Sequence, residues 1–145
     1  MPCVSRFRST ILAGAALSVM LWLLQADGGE AERVIEPQFS THSISLLREG
    51  FYGAHRRRLI PNSVRDALYR QRRQYLGRTF EIAAGETIPA GLLLALVPIP
   101  VDAYRRLGFG DLPDGARVGV LGRHVVLWDA QTRKVYDVLP NFMVR

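Results

Sequence analysis

The stretch HVVLWDAQTRKVYDVLPN, residues 124–141, predicts two β-strands joined by a turn. Runs rich in Val, Leu, Trp and Tyr lie on both sides of the turn sequence DAQTR, in which the Asp129 carboxylate can accept a hydrogen bond from the backbone two residues on. A further strand is predicted at 118–121, because Gly122-Arg123 suits a type II′ hairpin turn with glycine at its first central position. The region therefore predicts a three-stranded antiparallel β-meander.

Both faces of this meander are predicted to be apolar and to need a cover. In the expected register one face carries Val118, Val120, Val125 and Leu127, joined by Tyr136 and Val138 if Leu127 opposes Tyr136. The opposite face carries Leu121, His124, Val126, Trp128, Val135, Asp137 and Leu139. Since that second face is also too apolar for open solvent, we expect the Pro-rich segment or a partner to cover it.

The run SVRDALYRQRRQYL, residues 63–76, predicts a helix that begins at Val64 and covers the first face. Asn62 or Ser63 is expected to cap its start, and Ser63 with Asp66 resembles a capping box. Gly77 suits the position just after the helix end. The packed face is expected to consist of residues at helical spacing, namely Val64, Ala67, Leu68, Gln71 and Tyr75.

Short elements are expected between this helix and the meander. They are a strand at 79–82, a turn at 83–86, a short helix from Pro89 through Leu96, extended backbone at 98–100, a helical turn at 102–107 and a tight turn at Asp114-Gly115. The predicted fold class is α+β, with a C-terminal three-stranded antiparallel β-meander packed against one or two helices.

The first residues predict the compartment. Arg6 and Arg8 precede an apolar core at 11–24, which is the layout of a secretory signal peptide and is short for a membrane span. We therefore expect residues 1–31 to be a signal peptide and the protein to be periplasmic, the alternative being an uncleaved signal anchor in the inner membrane. Residues 32–60 are polar and basic and predict a flexible leader, and residues 61–145 predict a single small α+β domain.

Composition narrows the class of partner. The chain has 19 Lys and Arg against 13 Asp and Glu, a net charge of +6. Removal of residues 1–31 would leave that charge unchanged and would remove Cys3, the single cysteine, so neither a disulfide nor a cysteine metal site is expected. The positive charge predicts an anionic partner. The secretory route argues against nucleic acid as that partner.

No enzyme signature is present. The three histidines, His42, His55 and His124, have no metal-ligand spacing, and we expect His124 to form a structural hydrogen bond with Asp137 rather than part of a catalytic dyad. The acidic and glycine residues at 108–115 have turn composition and no GxGxxG pattern. The sequence therefore predicts a protein without catalytic residues, metal or cofactor.

Arginine is the strongest unexplained feature. Eight arginines fall within the 23 residues 56–78, where Asp66 is the single acidic residue. They form either a solvated helix face or an anion-binding surface, because guanidinium groups bind phosphate and carboxylate in a bidentate manner. The predicted anion-binding residues are Arg56, Arg57, Arg58, Arg65, Arg72 and Arg73. The expected partner is an anionic envelope component or an acidic protein, with peripheral membrane contact possible through lipid phosphates.

The second half of the chain resembles a known family. The segments GETIPAGLL at 85–93, LVPIP at 96–100 and RVGVLGRHVVLWDAQTRKVYDVL at 117–139 are similar to the small periplasmic proteins of the RcnB and CigR type. The resemblance covers roughly residues 85–139. The positions that carry it most specifically are Gly122, Val125, Val126, Leu127, Asp129, Thr132, Val135, Asp137 and Val138.

This resemblance implies two functions. RcnB-like proteins are implicated in nickel and cobalt homeostasis, and CigR-like proteins in restraining virulence through a partner, and neither supplies catalytic residues.

We expect an exported, non-enzymatic binding or regulatory protein of the cell envelope, with an Arg-rich helix that meets an anionic partner. The alternative, by family likeness, is an accessory protein in periplasmic nickel or cobalt homeostasis.

Overall fold

The protein has an α+β fold, as predicted. Its computed structural model describes residues 35–54, 56–75 and 78–144, so the predicted signal peptide and the helix end at Gly77 lie outside the described residues. The helices are α1 (Thr41–Tyr52), α2 (Arg56–Leu59) and α3 (Asn62–Gln74), followed by 3-10 helices at Ala90–Ala95, Val101–Ala103 and Arg105–Leu107. The strands are β1 (Leu96–Pro98), β2 (Ala116–Leu121), β3 (His124–Asp129) and β4 (Val135–Leu139).

The sheet is antiparallel and has four strands in the order β1-β2-β3-β4, where we predicted three. The additional strand, β1, lies at the sheet edge, where Pro98 is tolerated because an edge position does not require its missing N–H. Pro98 pairs with Gly119 of β2, and a Cβ at that glycine would lie 2.7 Å from the Val97 carbonyl oxygen. Gly119 thus permits a close approach of the two backbones.

Both hairpin turns form as predicted. Gly122 has φ +61° and Arg123 does not have positive φ, which is the pattern of a type II′ turn between Leu121 and His124. In the second turn Asp129 Oδ1 accepts hydrogen bonds from the backbone N–H groups of Gln131 and Thr132, both at 2.8 Å. These two bonds, the one to Thr132 first, lower the pKa of the Asp129 carboxyl.

A lowered pKa makes stability depend on pH in a defined direction. Because the folded-state pKa of Asp129 lies below its unfolded value of ~3.9, its contribution is complete above that pH and is lost as pH falls through the folded pKa. Asp129→Asn keeps an oxygen acceptor but does not titrate. We therefore expect urea unfolding from about pH 2 to pH 6 to give a flatter stability profile for the variant below about pH 4. If the unfolding free energies of the two proteins ran parallel over this pH range, the ionised Asp129 carboxylate would not be stabilising the turn.

The first face of the sheet packs as predicted against helices. Val118 and Val120 of β2 and Val125 and Leu127 of β3 lie in one core cluster with residues of α1 and α3. The register of β4 differs from our prediction, because a bulge places Asp137, not Tyr136, opposite Leu127. Tyr136, Asp137 and Leu139 consequently lie toward this face, whereas Val138 packs in the opposite core.

The second face is covered by the chain itself. Leu121, Val126, Trp128 and Val135 form a second buried cluster with residues of the segment 80–96, namely Phe80, Ile82, Ile88, Leu92, Ala95 and Leu96. The predicted strand at 79–82 does not form. Phe80 instead places its ring in this core, and its carbonyl oxygen lies 2.7 Å from His124 Nε2.

The prediction of a flexible leader over 32–60 is wrong for much of its length. Ser40 caps α1 by accepting a hydrogen bond from the Ser43 N–H at 3.1 Å, and Leu47 and Phe51 of that helix are buried with Ile60 in the first core. The compact unit spans Glu36–Arg145 rather than beginning at residue 61. Although residues 32–60 are polar in overall composition, Leu47 and Phe51 lie one helical turn apart and give the helix one apolar face.

The helix predicted from Val64 is confirmed as α3, with a different start. It begins at Asn62 after Pro61, and it has no side-chain cap, so the predicted capping box is wrong. Pro61 is the N-cap residue, and with φ −58° and ψ 148° it leads into the helix from an extended conformation. Of the predicted packed face, Val64, Leu68 and Gln71 are buried and Ala67 is partly buried in the first core. Tyr75 instead follows the helix end and packs against the second core.

Candidate anion-binding site

The six predicted anion-binding arginines lie on two helices. Arg56, Arg57 and Arg58 belong to the short helix α2, and Arg65, Arg72 and Arg73 belong to α3. Arg58, Arg72 and Arg73 are exposed, whereas Arg65 is half-buried and its Nη2 donates to the Gly50 carbonyl oxygen at 2.7 Å. Arg65 therefore fastens α3 to α1 within the protein.

The C-terminal end of α3 concentrates exposed positive charge. Arg70, Arg72, Arg73 and Arg78, here called the helix-end arginines, are all exposed. Within the described part of the chain, no carboxylate lies within 4.0 Å of any of these four guanidinium groups. The Arg73 and Arg78 guanidinium carbons lie 5.9 Å from the ring centroids of Tyr69 and Tyr75 respectively, within the range of cation–π contact.

A cavity of about 550 Å³ opens beside these arginines. It is lined by Tyr52, Gln71, Arg72, Tyr75, Arg78, Thr79, Phe80, Gly122, Arg123, Met143 and Val144. The arginines come from three separate segments: α3, the chain after it, and the β2–β3 turn. The described lining includes these three guanidinium-bearing residues and no Asp or Glu, so the cavity is electropositive.

Hydrogen bonds to the C-terminal segment hold the walls of this cavity together. The Tyr52 hydroxyl at the end of α1 donates to the Phe142 carbonyl oxygen at 3.0 Å, and the Met143 N–H donates to the Arg123 carbonyl oxygen at 2.9 Å. Arg72 Nη2 also approaches the Met143 carbonyl oxygen at 3.3 Å. Tyr52, Arg72 and Arg123 are thus each hydrogen-bonded to the C-terminal segment at Phe142 or Met143.

His124 has a structural role, although not with the predicted partner. Its Nδ1 accepts from the Asn141 N–H at 3.1 Å, so its Nε2 carries the hydrogen that it donates to the Phe80 carbonyl oxygen at 2.7 Å. Asp137 instead accepts from the Phe39 N–H at 2.8 Å. The bulge in β4 separates the two residues that sequence alternation had placed together.

Residues 35–54, 56–75 and 78–144 hold neither a metal-ligand cluster nor a membrane-spanning helix. No three His, Cys, Asp or Glu side chains of those residues come together as a metal site requires. No helix in that part of the chain is long and apolar enough to cross a membrane.

Sequence reasoning missed several residues of the cavity. Arg78 belongs to the arginine-rich stretch 56–78, but the sequence gives no reason to place it in a site, and Arg123 has the features of a hairpin-turn residue alone. A two-residue turn does place its side chains at the end of a sheet, but nothing in the sequence shows which helix that end will meet. The aromatic lining residues Tyr52, Tyr75 and Phe80 carried no functional signal, because aromatic residues at such positions usually belong to a core.

Comparison with known proteins found no matching family model, curated protein or solved structure. The likeness of residues 85–139 to RcnB-like and CigR-like proteins therefore stays a prediction. The case for function rests on the site itself.

Proposed function

We propose that this chain is an exported, non-enzymatic binding protein of the cell envelope whose helix-end arginines engage an anionic partner. The N-terminal sequence supports export to the periplasm, with the signal anchor in the inner membrane as the alternative. The observation that carries the proposal is the group of four exposed guanidinium groups at residues 70–78, with no carboxylate of the described residues within 4.0 Å.

Physical chemistry favours an anion at this surface. Each guanidinium presents five N–H donors in a fixed plane that matches phosphate and carboxylate oxygens. Four such groups within nine residues repel one another, and a multivalent anion relieves that repulsion for all of them together. An extended anionic partner therefore lowers the electrostatic free energy of this surface more than a single small counterion does.

The partner best supported is an anionic lipid surface. Tyr69, whose side chain is 65% exposed, lies beside Arg73, and an exposed tyrosine next to arginine suits the headgroup layer, where one part of the ring is apolar and the hydroxyl is polar. This contact is peripheral, since the arginines lie on the surface of a folded domain. An acidic protein partner is the other outcome of the test below.

The proposal predicts that replacing two arginines weakens vesicle binding. Protein purified from the exporting cell is sedimented with phosphatidylglycerol and with phosphatidylcholine vesicles, after its intact mass has established its N-terminus. Arg70→Gln combined with Arg73→Gln should weaken binding to phosphatidylglycerol about thirtyfold, because each basic side chain near such a surface contributes ~1 kcal/mol. Glutamine preserves helix propensity, and raised salt should weaken the parent in the same direction.

The matched control is Arg105→Gln combined with Arg106→Gln. Both arginines are exposed, and their replacement removes the same charge. They lie on the 3-10 helix Arg105–Leu107, and Gly108, the residue after it, lies beside His42 at the start of α1. Tyr52 at the other end of α1 lines the cavity, and a helix of this length spans about 18 Å. If both double variants lost vesicle binding equally, the attraction would be a nonspecific effect of charge. If the parent protein stayed in the supernatant with both kinds of vesicle, the lipid partner would be ruled out and the anionic partner would be an acidic protein.

A further inference from the structure

The cavity at the end of α3 has a chemistry of its own beyond surface charge. Arg72, Arg78 and Arg123 reach it from three segments that are separated in sequence, and Arg123 is not one of the helix-end arginines. Three positively charged residues around one concave space attract an anion, because their potentials add there. Since the described lining contains no Asp or Glu, no carboxylate of the lining competes with an anion for these arginines.

The guanidinium groups keep most of their donors for a ligand. The Arg72 bond to the Met143 carbonyl oxygen uses one N–H of five. Among the described residues, no side-chain hydrogen bond from Arg78 or Arg123 to another residue is found, although Arg78 lies over the Tyr75 ring. The site therefore offers arginine donors from three segments for a charged oxygen group.

Three aromatic residues also line the cavity. Tyr75 and Phe80 meet edge to face, with ring centroids 5.7 Å apart and planes at 70°, and Phe80 closes against the hairpin turn. A Cβ at Gly122 would lie 2.6 Å from Phe80 Cδ2, so the turn contacts the ring with no space between them. Tyr52 contributes a third ring from α1.

The size of the cavity selects the class of ligand. A volume of about 550 Å³ lies within the range of roughly 300–1,000 Å³ that is usual for small organic molecules. A bare phosphate or sulfate occupies the space of only a few water molecules, at about 30 Å³ each, and would leave most of the cavity unfilled. An organic body attached to the anionic group would fill the remaining volume and contact the rings.

We infer that this cavity binds a small organic anion, in which a carboxylate, phosphate or sulfonate group bonds the three arginines and an aromatic or short aliphatic body packs on Tyr75 and Phe80. The inference rests on the proposed function in one respect, since Arg72 and Arg78 belong to both sites. Arg123 belongs to the cavity alone, whereas Arg70 and Arg73 belong to the vesicle-binding surface alone. The two proposals can therefore fail separately.

The probe for this site is anilinonaphthalene sulfonate, which joins an anionic group to an aromatic body and fluoresces when it leaves water. Titration of the full exported chain should show saturable binding, and Arg123→Gln should weaken it at least tenfold. Arg123→Lys should fall between the two, because lysine keeps the charge but loses the planar donor fork. Arg70→Gln with Arg73→Gln should bind the dye as the parent does. The uncharged analogue phenylnaphthylamine should bind at least tenfold more weakly.

Competition identifies the part of the ligand that matters. Phenyl phosphate and benzoate should displace the dye at concentrations at least tenfold lower than inorganic phosphate or phenol. Displacement by inorganic phosphate as effective as by phenyl phosphate would reduce the cavity to a simple anion site and overturn the inference. Dye binding that is unchanged in Arg123→Gln, while thermal melts show the variant folded, would overturn it as well.

Discussion

Val125→Asp should abolish the folded state of this domain. Val125 is fully buried between Val120 of β2 and Leu139 of β4, on the face that the helices cover. The substitution loses about 2 kcal/mol of apolar burial and places a carboxylate where it has no cation to pair with, at a further cost of several kcal/mol. A domain of this size has a total stability of only ~5–15 kcal/mol. Circular dichroism should therefore show no cooperative thermal transition for the variant.

Gln131→Ala is the control for this result. Gln131 is exposed in the β3–β4 turn, and its backbone N–H rather than its side chain donates to Asp129. The free energy of unfolding should change by less than ~0.5 kcal/mol. If the two variants melted alike, the assignment of Val125 to the covered face would be wrong.

Gly119→Ala should be the most damaging single-methyl change in the sheet. The added Cβ would lie 2.7 Å from the Val97 carbonyl oxygen and 3.1 Å from Pro98 Cα, and both are backbone atoms of the adjacent strand. The strands can separate only by breaking the β1–β2 pairing of Val97 with Val120 and of Pro98 with Gly119. We expect a loss of ~3 kcal/mol, measured by urea unfolding, which lowers the melting temperature by about 10 °C or more.

Gly91→Ala provides a matched glycine. Gly91 lies in the 3-10 helix Ala90–Ala95, a Cβ there would meet nothing within 4 Å, and its φ is not positive. This variant should be as stable as the parent or more stable by ~0.4–1 kcal/mol, because alanine restricts the unfolded chain. A comparable loss in both variants would show that the effect at Gly119 is a general cost of replacing glycine, and not a clash with β1.

The sequence by itself determined the elements whose causes are local. Alternation along the strands placed Val118, Val120, Val125 and Leu127 on the face that the helices cover. The turns at Gly122 and Asp129 formed where their residue types favour them. The packed face of α3 followed from the helical spacing of Val64, Leu68 and Gln71 in the same way. In each case the residues that decide the conformation lie within a few positions of one another, so the pattern is visible in the sequence.

Only the tertiary structure decided the features that depend on distant residues. β1 exists because Gly119 lets a backbone some twenty residues upstream approach closely, and the β4 bulge turned Val138 away from the face that alternation predicted. The cavity combines α1, the end of α3, a hairpin turn and the C-terminal segment, and no local pattern brings Arg72, Arg78 and Arg123 together. Composition could show that arginine is abundant here. Packing alone selected which arginines line one cavity, because this depends on how the helices lie on the sheet and not on spacing along the chain.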